Sequence, residues 1–153
     1  LIVYYSRKGE NWWDGTTRVL QTGNTARMAR VIQRTIGGDL YEIETVKPYP
    51  ADYRETTKVA RDELAKEARP AIKKPLPDFS AYRAVLIGHP IWWGKMPRAV
   101  MIATHGGSGL GPSAEDCARA QPRTSVTAGL AVRGTAVDRS TDEIVRWARS
   151  LRL

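Results

Sequence analysis

The sequence predicts an α/β fold with a doubly wound parallel sheet and helices on both faces, and three observations carry that prediction. Residues 1–5 form a continuous β-branched and aromatic apolar run, the pattern of a strand buried on both faces of a parallel sheet. Strand-like and helix-like segments then alternate along the 153 residues, and the helical segments carry recognisable caps or stops. Loops rich in glycine and hydroxyl groups follow the strand segments, at the edge where open α/β sheets take their ligands. The length suits one domain spanning residues 1–153, with no linker and no internal repeat.

Each element has its own justification. After the first strand comes a polar excursion over residues 7–21, then a helix with Met28, Ala29, Ile32 and Ile36 at helical spacing and Gly37-Gly38 as its stop. Residues 40–46 read as a strand in which Glu42 and Glu44 alternate with Tyr41, Ile43 and Thr45, a half-polar pattern suited to a sheet edge. Asp52 is placed to cap a second helix with Tyr53, Thr57, Ala60, Leu64 and Ala68 on one face, ended by Pro70. Residues 84–88 read as a third buried strand, and Pro97 as the first position of a further helix. Ser113 with Asp116 resembles a short capped helix, residues 126–132 alternate as a strand, and Ser140 with Glu143 forms a capping box before Ile144, Trp147 and Leu151.

Two places predict missing sequence. An opening on a core strand with no preceding Met predicts residues ahead of Leu1. Between Pro97 and Thr104 only six residues intervene, whereas a parallel crossover takes a dozen or more. A segment of about 15–20 residues, a helix remainder plus a strand start, is therefore expected to be absent between Val100 and Met101.

Composition excludes several classes. The lone Cys117 excludes a disulfide framework and a multi-cysteine metal site, and two histidines make other metal chemistry a poor fit. No apolar run approaches a membrane span and no signal peptide is visible, so a cytoplasmic protein off the membrane is expected. The net charge is +8, and residues 54–98 supply most of the excess, with 10 basic against 5 acidic groups. Basic and acidic residues are interspersed, which favours a solvated surface or an acidic partner over nucleic acid.

Three loops are chemically unusual. Ser6, followed across the excursion by Thr22-Gly23-Asn24-Thr25, places hydroxyls and backbone N–H groups at a helix start, the makings of a phosphate cradle, although a plain helix cap would use the same residues. It has neither the Gly-x-x-x-x-Gly-Lys-Ser/Thr nor the Gly-x-Gly-x-x-Gly pattern, which disfavours ATP, GTP and NAD. In Pro90-Ile91-Trp92-Trp93-Gly94, neighbouring tryptophans at a strand end face opposite ways, one into the core and one onto the rim, where it could cover a planar ligand. Thr104-His105-Gly106-Gly107-Ser108-Gly109 exposes backbone N–H groups to a ligand rich in carbonyls, while His89 reads as a structural residue.

Tyr4-Tyr5-Ser6-Arg7, Gly23-Asn24-Thr25, Lys47-Pro48-Tyr49-Pro50, Arg69-Pro70, Pro90-Ile91-Trp92-Trp93-Gly94 and Thr104-His105-Gly106-Gly107-Ser108-Gly109 together resemble the flavodoxin-like family, in its bacterial branch with a long first loop and a Trp-Trp motif. The resemblance implies a five-stranded parallel sheet in the order 2-1-3-4-5 and non-covalently bound FMN. It further implies that Ser6, Arg7, Thr22, Gly23, Asn24 and Thr25 hold the 5′-phosphate. Pro90, Ile91, Trp92, Trp93 and Gly94 would then flank the isoalloxazine ring, with Thr104, His105, Gly106, Gly107, Ser108 and Gly109 at its pyrimidine edge. Two features depart from the family pattern: the excursion at 7–21, whose Trp12 and Trp13 could cover the flavin or a partner site, and the basic charge where classical flavodoxins are acidic.

Three functions remain open on the sequence. The first is an FMN electron carrier between redox partners, which for this charge would be acidic, working as a monomer or homodimer. The second is an FMN-dependent NAD(P)H:quinone or nitro-compound reductase, with His105 as proton donor beside Trp93. The third is a flavin-free docking or nucleic-acid-binding protein. A response-regulator reading fails, because residues 1–6 and 84–90 contain no acid.

Overall fold

The computed structural model describes residues 1–100, 129–151 and 153. In chain order the elements are β1 (Ile2–Tyr4), β2 (Gly9–Trp13), β3 (Thr16–Leu20), α1 (Asn24–Ile36), β4 (Leu40–Glu42), α2 (Tyr53–Ala65), a 3-10 turn (Phe79–Ala81), β5 (Leu86–Gly88), a 3-10 helix (Gly134–Arg139) and α3 (Thr141–Ser150). β1 is central in a parallel sheet, with β4 on one side and β5 on the other; Val3 stands opposite both Tyr41 and Ile87.

All of residues 1–5 are buried, as a continuous apolar run requires. Leu1, Val3 and Tyr5 face a layer containing Ile43, Met96, Ala99 and Val100. Ile2 and Tyr4 face the opposite way, onto Ala26, Ala29 and Ile32 of α1 and Ile144 and Ala148 of α3. α1 and α3 thus cover one face side by side, while α2 belongs to the other side, joined to it through Tyr49 and Trp93, with Arg98 bonded to the Glu67 and Ala68 carbonyls just past its end.

α1 stops where the glycines predict: Gly37 takes a φ of +75° and its N–H donates to the Gln33 carbonyl at 2.8 Å. α2 starts as predicted, with the Asp52 carboxylate accepting from the Glu55 N–H at 2.8 Å. It ends at Ala65, before the expected Pro70, because Glu67 adopts a φ of +49°. The N–H groups of Ala68 and Glu67 then fold back onto the carbonyls of Glu63 and Leu64, a Schellman closure made without glycine. Ala60 is buried as the spacing predicts, with Thr56 rather than Thr57 buried beside it. The capping box at α3 does not form: Ser140 follows directly on the 3-10 helix at φ −99°, ψ 14°, outside the extended conformation a side-chain cap needs, and its hydroxyl caps nothing.

Three further expectations change in the folded chain. The strand expected over 40–46 ends at Glu42; beyond it Thr45 bridges to Ile72, and the Val46 and Lys73 N–H groups bond across to Ala71 and Glu44 carbonyls. The excursion over 7–21 is an antiparallel hairpin of β2 and β3, closed by Asp14 and Gly15 at φ values of +43° and +94°. Those two signs mark a type I′ turn, the conformation an Asp-Gly pair favours. Of the expected five-stranded sheet, the described residues hold three parallel strands, in the sense 2-1-3, plus the separate hairpin. Residues 129–132 of the fifth predicted strand lie outside any strand, and Leu130 and Val132 pack instead on the α1 and α3 layer. Residues 126–128, the Ser113–Asp116 cap and the Met101 side of the expected break lie outside the described residues. Among the described residues, no helix is long and apolar enough to cross a membrane.

Candidate functional site

The start of α1 is built against the carboxyl end of β1. Ser6 leaves β1, and its Oγ accepts a hydrogen bond from the Ala26 N–H at 3.0 Å. Gly23 is the N-cap, and a Cβ there would overlap Ser6 Oγ and the Arg7 carbonyl oxygen and stand 2.8 Å from the Arg7 carbonyl carbon. Only glycine fits. Lacking a side chain, Gly23 cannot cap, and the first turn contains no acid. The leading N–H groups of Asn24 and Thr25, which no helix bonds internally, therefore stand at an uncompensated positive helix end.

That helix end is pinned between two strands. A Cβ on Gly88 would lie 3.2 Å from the Thr25 methyl and 3.3 Å from Tyr4 Cβ, so α1 begins against the carboxyl ends of β1 and β5. The chain passes from β1 to β4 on one side and returns to β5 on the other, which makes this crevice the switch point of the sheet. Thr22, Asn24 and Thr25 are half-buried there. The Asn24 side-chain Oδ1 accepts from Arg27 Nη1 at 3.1 Å, and its side-chain Nδ2 lies against Gly134. Arg27 also forms an ion pair with Asp138, which ties the 3-10 helix to α1.

Arg7 is placed differently from its neighbours in the motif. It is 8% exposed, and its guanidinium donates to the carbonyls of Glu10, Pro50 (2.8 Å), Ala51 (2.7 Å) and Asp52 (3.1 Å). Nε is buried with no partner among the described residues. Burial lowers the Arg7 pKa, yet a guanidinium stays charged. The side chain clips the hairpin to the loop that leads into α2. The Glu10 carboxylate reinforces this clip by accepting from the Tyr53 N–H at 3.0 Å.

The loop after β5 forms an aromatic wall. Trp92 and Lys95 exchange backbone bonds of 2.8 and 2.9 Å around a two-residue turn in which Trp93 and Gly94 have φ values of +52° and +72°. The turn, rather than strand alternation, sends the two tryptophans apart. Trp92 packs edge-on against Tyr5 and Tyr49, with centroids 5.6 and 5.0 Å away. Trp93 is 55% exposed, and its indole N–H donates to the Thr57 carbonyl at 3.0 Å. One turn earlier on α2, Tyr53 lies 6.0 Å from Trp12, also an exposed ring. Beside Trp93, Ile91 is exposed as well. His89 Nδ1 lies 3.0 Å from the Pro90 carbonyl, and burial lowers its pKa, which keeps the ring neutral at pH 7.

Beneath this wall, the Tyr49 hydroxyl donates to Glu63 at 2.6 Å. Burial raises the Glu63 pKa; the Tyr49 bond and the charges of Arg98 and Lys47 oppose that shift without cancelling it. The folded state therefore holds the Glu63 proton to higher pH than the unfolded chain does, and stability falls as pH rises through that interval. A glutamine at this position keeps an acceptor for Tyr49 and cannot ionise. Glu63→Gln is expected to raise the melting temperature at pH 7, with the gain disappearing below about pH 3, where a glutamate is protonated in either state; a pH-independent difference would contradict this account.

The structure thus brings Ser6, Thr22, Gly23, Asn24 and Thr25 together and turns Arg7 onto carbonyls behind them. Because β1 and β5 are parallel, Ser6 and the 90–94 loop emerge at the same edge of the sheet. Thr104, His105, Gly106, Gly107, Ser108 and Gly109 lie outside the described residues. Sequence reasoning missed the Tyr49–Glu63 pair, for which spacing carries no signal. Among the described residues, no group of three or more His, Cys, Asp or Glu is placed to hold a metal ion.

Comparison with known proteins adds to this geometry. A family model described as Flavodoxin matches residues 18–151. A flavoprotein of Lactobacillus acidophilus NCFM, crystallised in complex with FMN, is 26% identical over 67% of this chain, with a TM-score of 0.51; the match spans 62% of that protein. A protein of Bacteroides eggerthii DSM 20697, described as a putative flavoprotein, is 28% identical over 94% of this chain and 95% of its own, with a TM-score of 0.60. A search of curated proteins finds no match. With the family match covering most of the chain, and a parallel sheet whose switch point carries the start of α1, the protein belongs to the flavodoxin family.

Proposed function

We propose that the chain binds FMN and carries electrons between redox partners, as the Pro90–Gly94 branch of the flavodoxins would. The observation that supports this most is the start of α1: an acid-free helix end at the switch point whose Asn24 and Thr25 N–H groups no N-cap side chain meets, approached so closely by Ser6 and Arg7 that only Gly23 fits. A phosphate dianion suits that end. The N–H groups of Asn24 and Thr25 and the hydroxyls of Ser6, Thr22 and Thr25 would hold it. Trp93, with its exposed ring, would flank the isoalloxazine, backed by Trp92 with Tyr5 and Tyr49, and residues 104–109 would meet the pyrimidine edge. When bound, FMN supplies the electron-transfer chemistry; this chain's part is to hold the phosphate, orient the ring and keep water from it. The net charge of +8 fits partners with an acidic docking face. The sheet order 2-1-3-4-5 and a missing segment after Val100 are part of the same proposal.

A second reading, an NAD(P)H:quinone or nitro-compound reductase, draws on the exposure of Trp93 and Ile91, which leaves an open apolar rim for a second planar ligand. Two measurements decide. FMN titrated with the protein should lose its fluorescence at one-to-one stoichiometry, and unchanged fluorescence would end both readings. Stopped-flow mixing of the FMN-loaded protein with NADPH should leave the yellow colour unbleached; rapid bleaching would instead establish the reductase.

A further inference from the structure

A cavity of about 380 Å³ opens between the hairpin turn and the start of the 3-10 helix, lined by Trp12, Asp14, Arg133, Gly134 and Thr135. Three observations mark it as more than surface relief. Thr135 Oγ1 is buried and has no hydrogen-bond partner among the described residues, a state that costs free energy unless a ligand satisfies it. Arg133 carries a side chain that is 81% exposed, and its guanidinium stands 4.0 Å from Asp14, too loose to hold it in place. Gly134 touches the Asn24 amide, so the cavity borders the start of α1.

We infer that this cavity extends the α1 cradle and takes the phosphorylated ribityl arm of the flavin, with Arg133 and Thr135 as two of its ligands. The inference rests on the FMN reading above. Arg133 is free to turn from Asp14 to a phosphate oxygen, and a guanidinium matches two such oxygens at once. The Thr135 hydroxyl finds a partner in a ribityl hydroxyl or a phosphate oxygen. Asp14 is the opposing group: its carboxylate repels the same phosphate and competes for Arg133.

The test is fluorescence titration at low salt with FMN, riboflavin and inorganic phosphate as probes, on wild type, Arg133→Ala, Thr135→Val and Asp14→Asn. Arg133→Ala is expected to weaken FMN about tenfold, the scale of one charge-assisted bond, and to leave riboflavin unchanged. Thr135→Val is expected to weaken FMN about threefold to tenfold while the flavin-free protein melts at the same or a higher temperature, since an unsatisfied buried hydroxyl is lost. A purely structural Thr135 would show the opposite pairing. Asp14→Asn is expected to strengthen FMN binding, and millimolar phosphate should compete with FMN less well against Arg133→Ala. Wild-type protein that binds FMN, with variants that bind it equally well, overturns this inference alone. Wild-type protein that binds no FMN overturns the flavin reading and this extension with it.

Discussion

Gly23→Ala is expected to lose FMN binding by about a hundredfold or more and to destabilise the flavin-free protein by about 3 kcal/mol. The backbone at Gly23, with φ −66° and ψ 155°, is open to any residue, so the effect is steric and owes nothing to left-handed conformation. An added methyl would meet Ser6 Oγ, the Arg7 carbonyl oxygen and, at 2.8 Å, the Arg7 carbonyl carbon. Two of these atoms are backbone and cannot turn aside. Relief requires α1 to withdraw from β1, which breaks the Ser6–Ala26 bond and swings the N–H groups of Asn24 and Thr25 out of register. Two lost bonds to an anion account for the affinity loss, and the strain accounts for the stability loss. Chemical denaturation and fluorescence titration measure them separately. A Gly23→Ala protein with unchanged affinity would show that α1 does not need its close approach to β1.

Arg7→Met is expected to destabilise the protein by about 2–3 kcal/mol in the absence of any flavin. Methionine replaces much of the apolar stem but none of the donors that reach Glu10, Pro50, Ala51 and Asp52. The hairpin and the entry to α2 should then separate, which amide exchange across β2 and β3 would record as lost protection. Arg7→Lys should recover only part of the loss, because a point charge cannot span carbonyls on both sides of the clip. The same variants decide what Arg7 is for. A residue that served mainly as a phosphate ligand would leave flavin-free stability intact and lower FMN affinity in a salt-dependent way. The carbonyl clip makes the reverse prediction.

These two positions show how unevenly the site can be read from the chain. Gly23 is recognisable as the position where a backbone can approach closely before a helix start, although a plain helix cap uses the same residues. Arg7 resembles a phosphate ligand by its place in the motif, and nothing local announces that residues 50–52 fold back with their carbonyls turned toward it. The hairpin does carry a local signal: Asp14-Gly15 sits between two five-residue runs, the pattern of a type I′ turn. Both strands are partly exposed on both faces, so no clean alternation confirms it. Thr135 stands in the first turn of the 3-10 helix, and an orphaned hydroxyl becomes visible only when its surroundings are assembled.

By itself, the sequence determined the features that depend on neighbours in the chain. A run buried on both faces made residues 1–5 a central strand, Gly37 ended α1, and Asp52 capped α2, because periodicity, backbone freedom and capping all act within a few residues. Tertiary structure alone decided the rest: where Arg7 directs its donors, that Glu67 closes α2, that Ser140 caps nothing, and that Trp93 faces out while Trp92 packs inward. Each of these depends on which distant backbone or ring arrives beside it, and a hydrogen bond or a close contact is settled by a few tenths of an ångström that no spacing in the chain encodes.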